Sequence, residues 1–307
     1  MSLHLLVIGG GSIGMRHARV AATLGAEVAM VTARLDIDGL RFASLDAAAI
    51  FAADVVVIAN ETGKHHGTLT SVLARWPSAK LLIEKPLFAE PLALPLTMTM
   101  TTKAYVGYCL RFHPAVQALV ERTAQRRLFS IQATVGQHLS MWRPDRDYRS
   151  TYSARAGEGG ALRDLSHELD LVQLVGARWR RVAALLGQVT DLEVACDDVA
   201  SLLLQTERCP NVVVHLDLVD RSPRRSLVVH AEDMTIEADL IAHTLTIDGQ
   251  IEQLEVPRDA LFERQLQAVV DGDERWLCRL GSAVDVLHLI AAAERAAGAS
   301  TWEQRAT

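Results

Sequence analysis

Val7-Ile8-Gly9-Gly10-Gly11-Ser12-Ile13-Gly14 is the stretch on which the reading of this chain turns. It closes an apolar run over residues 3–8, broken only by His4, and opens a helical pattern over residues 13–24. Gly9, Gly11 and Gly14 stand in G-x-G-x-x-G spacing. At a strand-to-helix junction such glycines give a tight turn, close backbone approach to a pyrophosphate, and close helix–strand packing. The free N–H groups at the helix start and the helix dipole favour phosphate charge. Gly9, Gly11, Ser12, Ile13 and Gly14 therefore read as a dinucleotide cradle. Without that context the triplet is only a flexible turn.

Working outward, strand candidates at residues 27–32, 55–59, 81–83 and 104–109 frame a helical stretch over 68–75. Strands alternating with helices imply a mostly parallel, doubly wound sheet. After Pro114 the texture changes. An alternating run at 129–135 and a polar, aromatic-bearing loop at 137–160 precede one helix over 162–175, closed by Gly176. Strand-like runs at 182–189, 200–205, 212–218, 226–230, 234–238 and 244–247 then follow one another without helices, which implies an open, mainly antiparallel sheet. Helical patterns at 259–271 and 282–297 end the chain. The fold class is α/β, with a dinucleotide-binding domain over residues 1–113 and an α+β domain for substrate and oligomerisation over 114–307. The last helix is free to pack back on the first domain.

The 307 residues carry 31 Lys and Arg against 37 Asp and Glu, a net charge of −6. That balance argues against a nucleic-acid or anionic-membrane surface, which needs a basic excess. No apolar run approaches the length that spans a bilayer, and no targeting segment precedes the first strand. Cys109, Cys196, Cys209 and Cys278 are too scattered for a zinc pattern and read as incidental thiols in a reducing compartment. A soluble, cytoplasmic protein is the expectation.

About 20 positions past the glycine loop, an Asp or Glu would grip the ribose 2′-hydroxyl of NAD. Here the second strand ends Val31-Thr32-Ala33-Arg34, with no acid before Asp36. Arg34 and Thr32 suit a 2′-phosphate, favouring NADP(H) over NAD(H). The alternative is a solvated Arg34, with Asp36 or Asp38 on the ribose. Glu84-Lys85-Pro86 follows the strand at 81–83, where a parallel sheet presents side chains to its ligand crevice. Pro86 pushes Lys85 toward an extended conformation.

Together these motifs resemble the Gfo/Idh/MocA oxidoreductases. The glycine loop, Glu84-Lys85-Pro86, Arg111-Phe112-His113-Pro114, and Gly159-Gly160-Ala161-Leu162 leading to His167-Glu168-Leu169-Asp170 carry the likeness. The resemblance implies a Rossmann domain followed by an open-sheet domain, and hydride transfer between a nicotinamide and a carbohydrate-like alcohol or ketone. It gives Lys85 the reacting oxygen and His167 the hydroxyl proton. Asp164 and His167, three apart, would share a helix face, so that the carboxylate orients the imidazole; Asp170 is a second candidate. Many family members carry an aspartate where this chain has Arg163.

The loop Trp142-Arg143-Pro144-Asp145-Arg146-Asp147-Tyr148-Arg149-Ser150-Thr151-Tyr152 mixes aromatic faces, guanidinium groups and hydroxyls. Trp142, Tyr148, Arg149 and Tyr152, with Arg111, are therefore candidate substrate contacts, an interface loop being the bland alternative. The likeness leans toward members acting on amino sugars or nucleotide sugars. Asn60 and His66 close the strand at 55–59 beside the cofactor crevice, Glu84 and Lys85 beside them; no spacing around His65-His66 suits a metal. A homodimer or homotetramer would cover the second sheet. A cofactor sensor without catalysis is the alternative function, against which retention of both Lys85 and His167 counts.

Overall fold

The computed structural model describes residues 2–91, 103–142 and 147–305. The chain divides into two compact units, one formed by Met1–Phe112 and Pro257–Val284, the other by His113–Val256 and Asp285–Thr307.

The first unit is built on β1 (His4–Ile8), β2 (Glu27–Val31), β3 (Leu40–Phe42), β4 (Val55–Ile58), β5 (Lys80–Ile83) and β6 (Ala104–Val106). They lie parallel in the order β6-β5-β4-β1-β2-β3, and Cys278–Arg279 adds a short antiparallel edge beside β6. Val55, Val56, Val57 and Ile58 are all buried, because helices cover both faces of a parallel sheet. Helix α1 (Ser12–Thr23) follows β1, the short α2 (Leu45–Ala48) follows β3, and α3 (His65–Arg75) follows β4. The strand order reverses between β1 and β4, where open sheets of this type bind ligands at their carboxyl ends. A helix from the far end of the chain (Ala260–Asp271) completes the core, with Leu266 and Val269 packed among Leu5, Val7 and Val57.

The second unit opens with α4 (Pro114–Thr123), which the sequence reading does not anticipate. Pro114 sits at its first turn, and the His113 ring nitrogen accepts the Ala115 N–H at 3.2 Å. The sheet comprises β7 (Leu128–Gly136), β8 (Trp179–Gly187), β9 (Val199–Thr206), β10 (Val212–Asp217), β11 (Arg224–Ala231), β12 (Thr235–Asp239), β13 (Thr244–Ile247) and β14 (Gln250–Gln253). Its order is β14-β13-β12-β11-β7-β10-β9-β8, with Glu303–Gln304 beyond β8; the β7–β10 pair is parallel and the others antiparallel. Ile131, Ala133, Leu202, Val214, Leu227 and Val229 are buried on one face, while Leu185, Leu203 and Val213 are exposed.

Two helices stand where the sequence pattern suggests one. After the short α5 (Leu139–Trp142), α6 (Ala161–Asp164) and α7 (His167–Gly176) are separated by Leu165 and Ser166. Leu165, at φ −94° and ψ +26°, lies outside the helical well. Gly176 is the last residue of α7, as expected, but the positive φ of the cap falls on Ala177, and a Cβ on Gly176 would meet Thr206 Oγ1 at 2.6 Å. That glycine is small for packing.

Candidate functional site

At the glycine loop the turn is tight and the helix packs close against the strand. Gly9 has φ +117°, and a Cβ there would lie 2.4 Å from the Ala59 carbonyl oxygen. A Cβ on Gly14 would fall 2.0 Å from the Gly9 oxygen, so α1 meets the loop only through glycine. Gly11 differs, because its Cβ direction is open. It caps α1 with no side-chain acceptor, leaving the first N–H groups of the helix to an external anion. Ser12 is exposed and Ile13 half-buried at this rim. The cradle fits a dinucleotide pyrophosphate.

Thr32 and Arg34 stand beside it. Thr32 is buried, its hydroxyl accepting the Arg34 N–H at 3.1 Å. The Arg34 guanidinium donates to the Gly10 carbonyl at 2.8 Å and takes Asp36 in two bonds of 3.0 and 2.5 Å. Hydrogen bonding from Arg34 holds the Asp36 carboxyl below its usual pKa. The strand end thus presents a cation at the loop with an anion already attached.

Asn60 and His66 occupy the corresponding position after β4. Asn60 donates to the Thr68 hydroxyl at 2.8 Å. His66 is exposed, edge-on to Phe88, whereas its neighbour His65 is buried between the Leu87 and Asn60 carbonyl oxygens at 3.0 and 3.1 Å. Burial pushes the His65 imidazole pKa below its usual value. Among the described residues no group of three or more His, Cys, Asp or Glu could hold a metal.

Lys85 is half-buried at the carboxyl end of β5, on the sheet edge that carries the glycine loop. Its peptide bond to Pro86 is cis. Glu84 turns inward: its carboxylate takes His17 Nε2 at 2.7 Å and the Lys85 N–H at 3.2 Å. Arg111 is also buried, donating to the Leu277 carbonyl at 3.3 Å.

In the second unit, His167 is half-buried at the first turn of α7 and Asp164 is buried at the end of α6. The break between them removes the shared helix face expected from their spacing. Asp170, also buried, does lie one turn from His167 on one continuous helix. Glu168 is clamped by Arg225, Nε to Oε1 at 2.8 Å. Arg163 turns to Glu294 instead, in paired bonds of 2.8 and 3.0 Å.

Ahead of these helices, Asp197 reaches the start of α6, accepting the Leu162 N–H at 2.8 Å. Burial raises its carboxyl above the usual range while that bond pulls it down. A Cβ on Gly160 would meet Asp197 Oδ1 at 2.3 Å, and one on Gly159 the Ser153 carbonyl oxygen at 2.3 Å, so Gly160 alone is small for this carboxylate. Neither Asp197 nor His17 is marked by any spacing in the sequence.

Trp142 and Tyr148 line one small pocket with Leu139, Thr151 and Ser153. Arg149 is exposed and paired with Glu193 at 2.5 Å, and Tyr152 is exposed. Residues 143–146 of the loop lie outside the described residues. Cys109, Cys209 and Cys278 are buried and Cys196 half-buried, all as thiols outside any disulfide. Burial pushes the Cys196 thiol up to about 11. No described helix is long and apolar enough to cross a membrane.

Comparison with known proteins bears on both units. Residues 115–237 match the family model of the GFO/IDH/MocA C-terminal domain. No curated protein matches by sequence. Among solved structures, GenD2 from gentamicin A biosynthesis, in complex with NAD, is 19% identical with a TM-score of 0.80, over 100% of this chain and 97% of its own. UDP-N-acetylglucosamine 3-dehydrogenase GnnA from Acidithiobacillus ferrooxidans is 23% identical with a TM-score of 0.76, over 97% and 99%. The WlbA dehydrogenase from Bordetella pertussis, in complex with NADH and UDP-GlcNAcA, is 16% identical with a TM-score of 0.80, over 100% of both chains. At such identities the likeness establishes the fold: a parallel-sheet unit and a mainly antiparallel one.

Proposed function

For a chain whose residues 115–237 carry a GFO/IDH/MocA C-terminal domain, we propose the activity of an NAD(P)-dependent oxidoreductase acting on the CH–OH group of a carbohydrate-like substrate. The observation that carries this reading is the open glycine cradle at Gly11, with Lys85 on the same carboxyl edge of the parallel sheet. Gly9, Gly11, Ser12, Ile13 and Gly14 hold the pyrophosphate, and Asn60 and His66 flank the nicotinamide. The bound nicotinamide supplies the hydride chemistry. Lys85 holds and polarises the reacting oxygen through Nζ, and His167 takes or returns the hydroxyl proton. Asp164 or Asp170 orients that imidazole. The protein side lowers the barrier by positioning and by charge placed where it develops.

Arg34 and Thr32 support NADP(H) as the preferred cofactor, since a 2′-phosphate can replace Asp36 on the guanidinium. Trp142, Tyr148, Arg149, Tyr152 and Arg111 are the substrate-side candidates, and the neighbours named above favour an amino sugar or nucleotide sugar. The exposed Leu185, Leu203 and Val213 support a homodimer or homotetramer built on the open sheet face. Calorimetric titration with NADP(H) and NAD(H), then a screen of sugar alcohols, uronates and nucleotide sugars at the nicotinamide absorbance band, tests the reading. Binding of neither cofactor by folded protein would falsify it.

A further inference from the structure

We infer that His17 is a positioning residue for Lys85, acting through Glu84 from inside the helix that follows the glycine loop. His17 is fully buried, three residues beyond Gly14. Its Nε2 lies 2.7 Å from Glu84 Oε1, and its Nδ1 is buried with no hydrogen-bond partner among the described residues. The ring meets Phe262 edge-on, with centroids 5.5 Å apart. The tautomer that fits places the proton on Nε2, donating to the carboxylate.

Glu84 passes the restraint on. Its backbone N–H is bound by the Ile58 carbonyl at 2.8 Å, which fixes the residue at the end of β5. Its other carboxylate oxygen accepts the Lys85 N–H at 3.2 Å. Room for the carboxylate exists because residue 107 is glycine: a Cβ there would lie 2.9 Å from Glu84 Oε1. A buried acceptor that lost the His17 donor would have to rotate toward another, and the Lys85 N–H would lose its bond to that carboxylate. One helix thereby holds the pyrophosphate at its N-terminus and the reactive lysine through its second turn. Cradle and lysine keep a fixed separation.

The catalytic consequence rests on the role proposed above for Lys85, but the linkage itself is testable without it. Lys64, Lys80, Lys85 and Lys103 are the lysines of the chain, so reductive ¹³C-methylation gives a simple NMR spectrum in which Lys85→Arg assigns one resonance. His17→Gln places an amide N–H near the site of Nε2, whereas His17→Met removes the donor at similar bulk. Glu84→Gln breaks the link from its other side and serves if His17→Met does not fold. The expected result is an unchanged Lys85 resonance in His17→Gln and a displaced one in His17→Met and Glu84→Gln. NADH affinity should stay within about threefold. Turnover, probed with UDP-N-acetylglucosamine and NAD(P), should fall about 10- to 100-fold in kcat in His17→Met, with rescue in His17→Gln. A resonance that stays put in folded His17→Met and Glu84→Gln overturns the linkage, as does equal displacement in His17→Gln. Wild-type protein inactive on this and every other alcohol would count against the proposed function and leave the resonance result standing.

Discussion

In the first unit, Lys85 leaves the end of a buried parallel strand, its backbone N–H donating to the Glu84 carboxylate that His17 also binds. In the second, His167 opens a helix whose next residue, Glu168, is gripped by Arg225 from β11, and Arg163 on the preceding helix is gripped by Glu294. The strand-end residue takes its place from sheet register, and its backbone bond to Glu84 adds to it. The helix-start residue has no register to inherit, since Leu165 and Ser166 interrupt the helix just before it, and ion pairs flank it instead. The first arrangement is sensitive to loss of a donor. The second is sensitive to loss of a charge.

Breaking the contrast starts at the reacting groups. Lys85→Ala should lower turnover by at least about 10²- to 10³-fold while dinucleotide binding, read by calorimetry, is kept. Arg225→Met should cost about 3–5 kcal/mol in urea unfolding, because Glu168 is 2% exposed and would lose the cation that faces its buried charge. Replacing both partners, Arg225→Met with Glu168→Leu, should recover most of that loss. A smaller effect is expected at the exposed pair beside the glycine loop. Arg34→Leu should weaken NADP(H) binding about tenfold and leave NAD(H) within about twofold.

The smallest effect is a pH slope. Burial lowers the His65 pKa in the fold, so its contribution is complete above the ordinary value of 6.5 and is lost as pH falls through the lowered folded value. Thermal midpoints taken downward from about pH 7 should therefore fall less steeply in His65→Gln than in the wild type.

Legibility in the sequence differed along the same line. The cores of β1, β2, β4 and β5 stand out as apolar runs because both faces of a parallel sheet are covered. The exposed β14, Gln250–Gln253, carries no such run, and β3 spans only Leu40–Phe42. Helix α4 did have a signal, Pro114 at its first turn with Ala115, Val116 and Leu119 on one face, which the strand-rich texture around it obscured. Apolar periodicity continues through Leu165 and Leu169, so nothing in the pattern announces the break between α6 and α7. His17 looked like any helix residue; only the arrival of Glu84, 67 positions on, gives it a partner.

The core of the first unit contains Leu266, Val269 and Leu277. A chain leaving the ribosome makes β1 to β6 early, yet the helix that covers them arrives only after β7 to β14 have been synthesised. Domains commonly fold as they emerge, N-terminal part first. Here the opening segment must wait as an incomplete layer, its apolar surface open to chaperones, until residues beyond Pro257 return to close it.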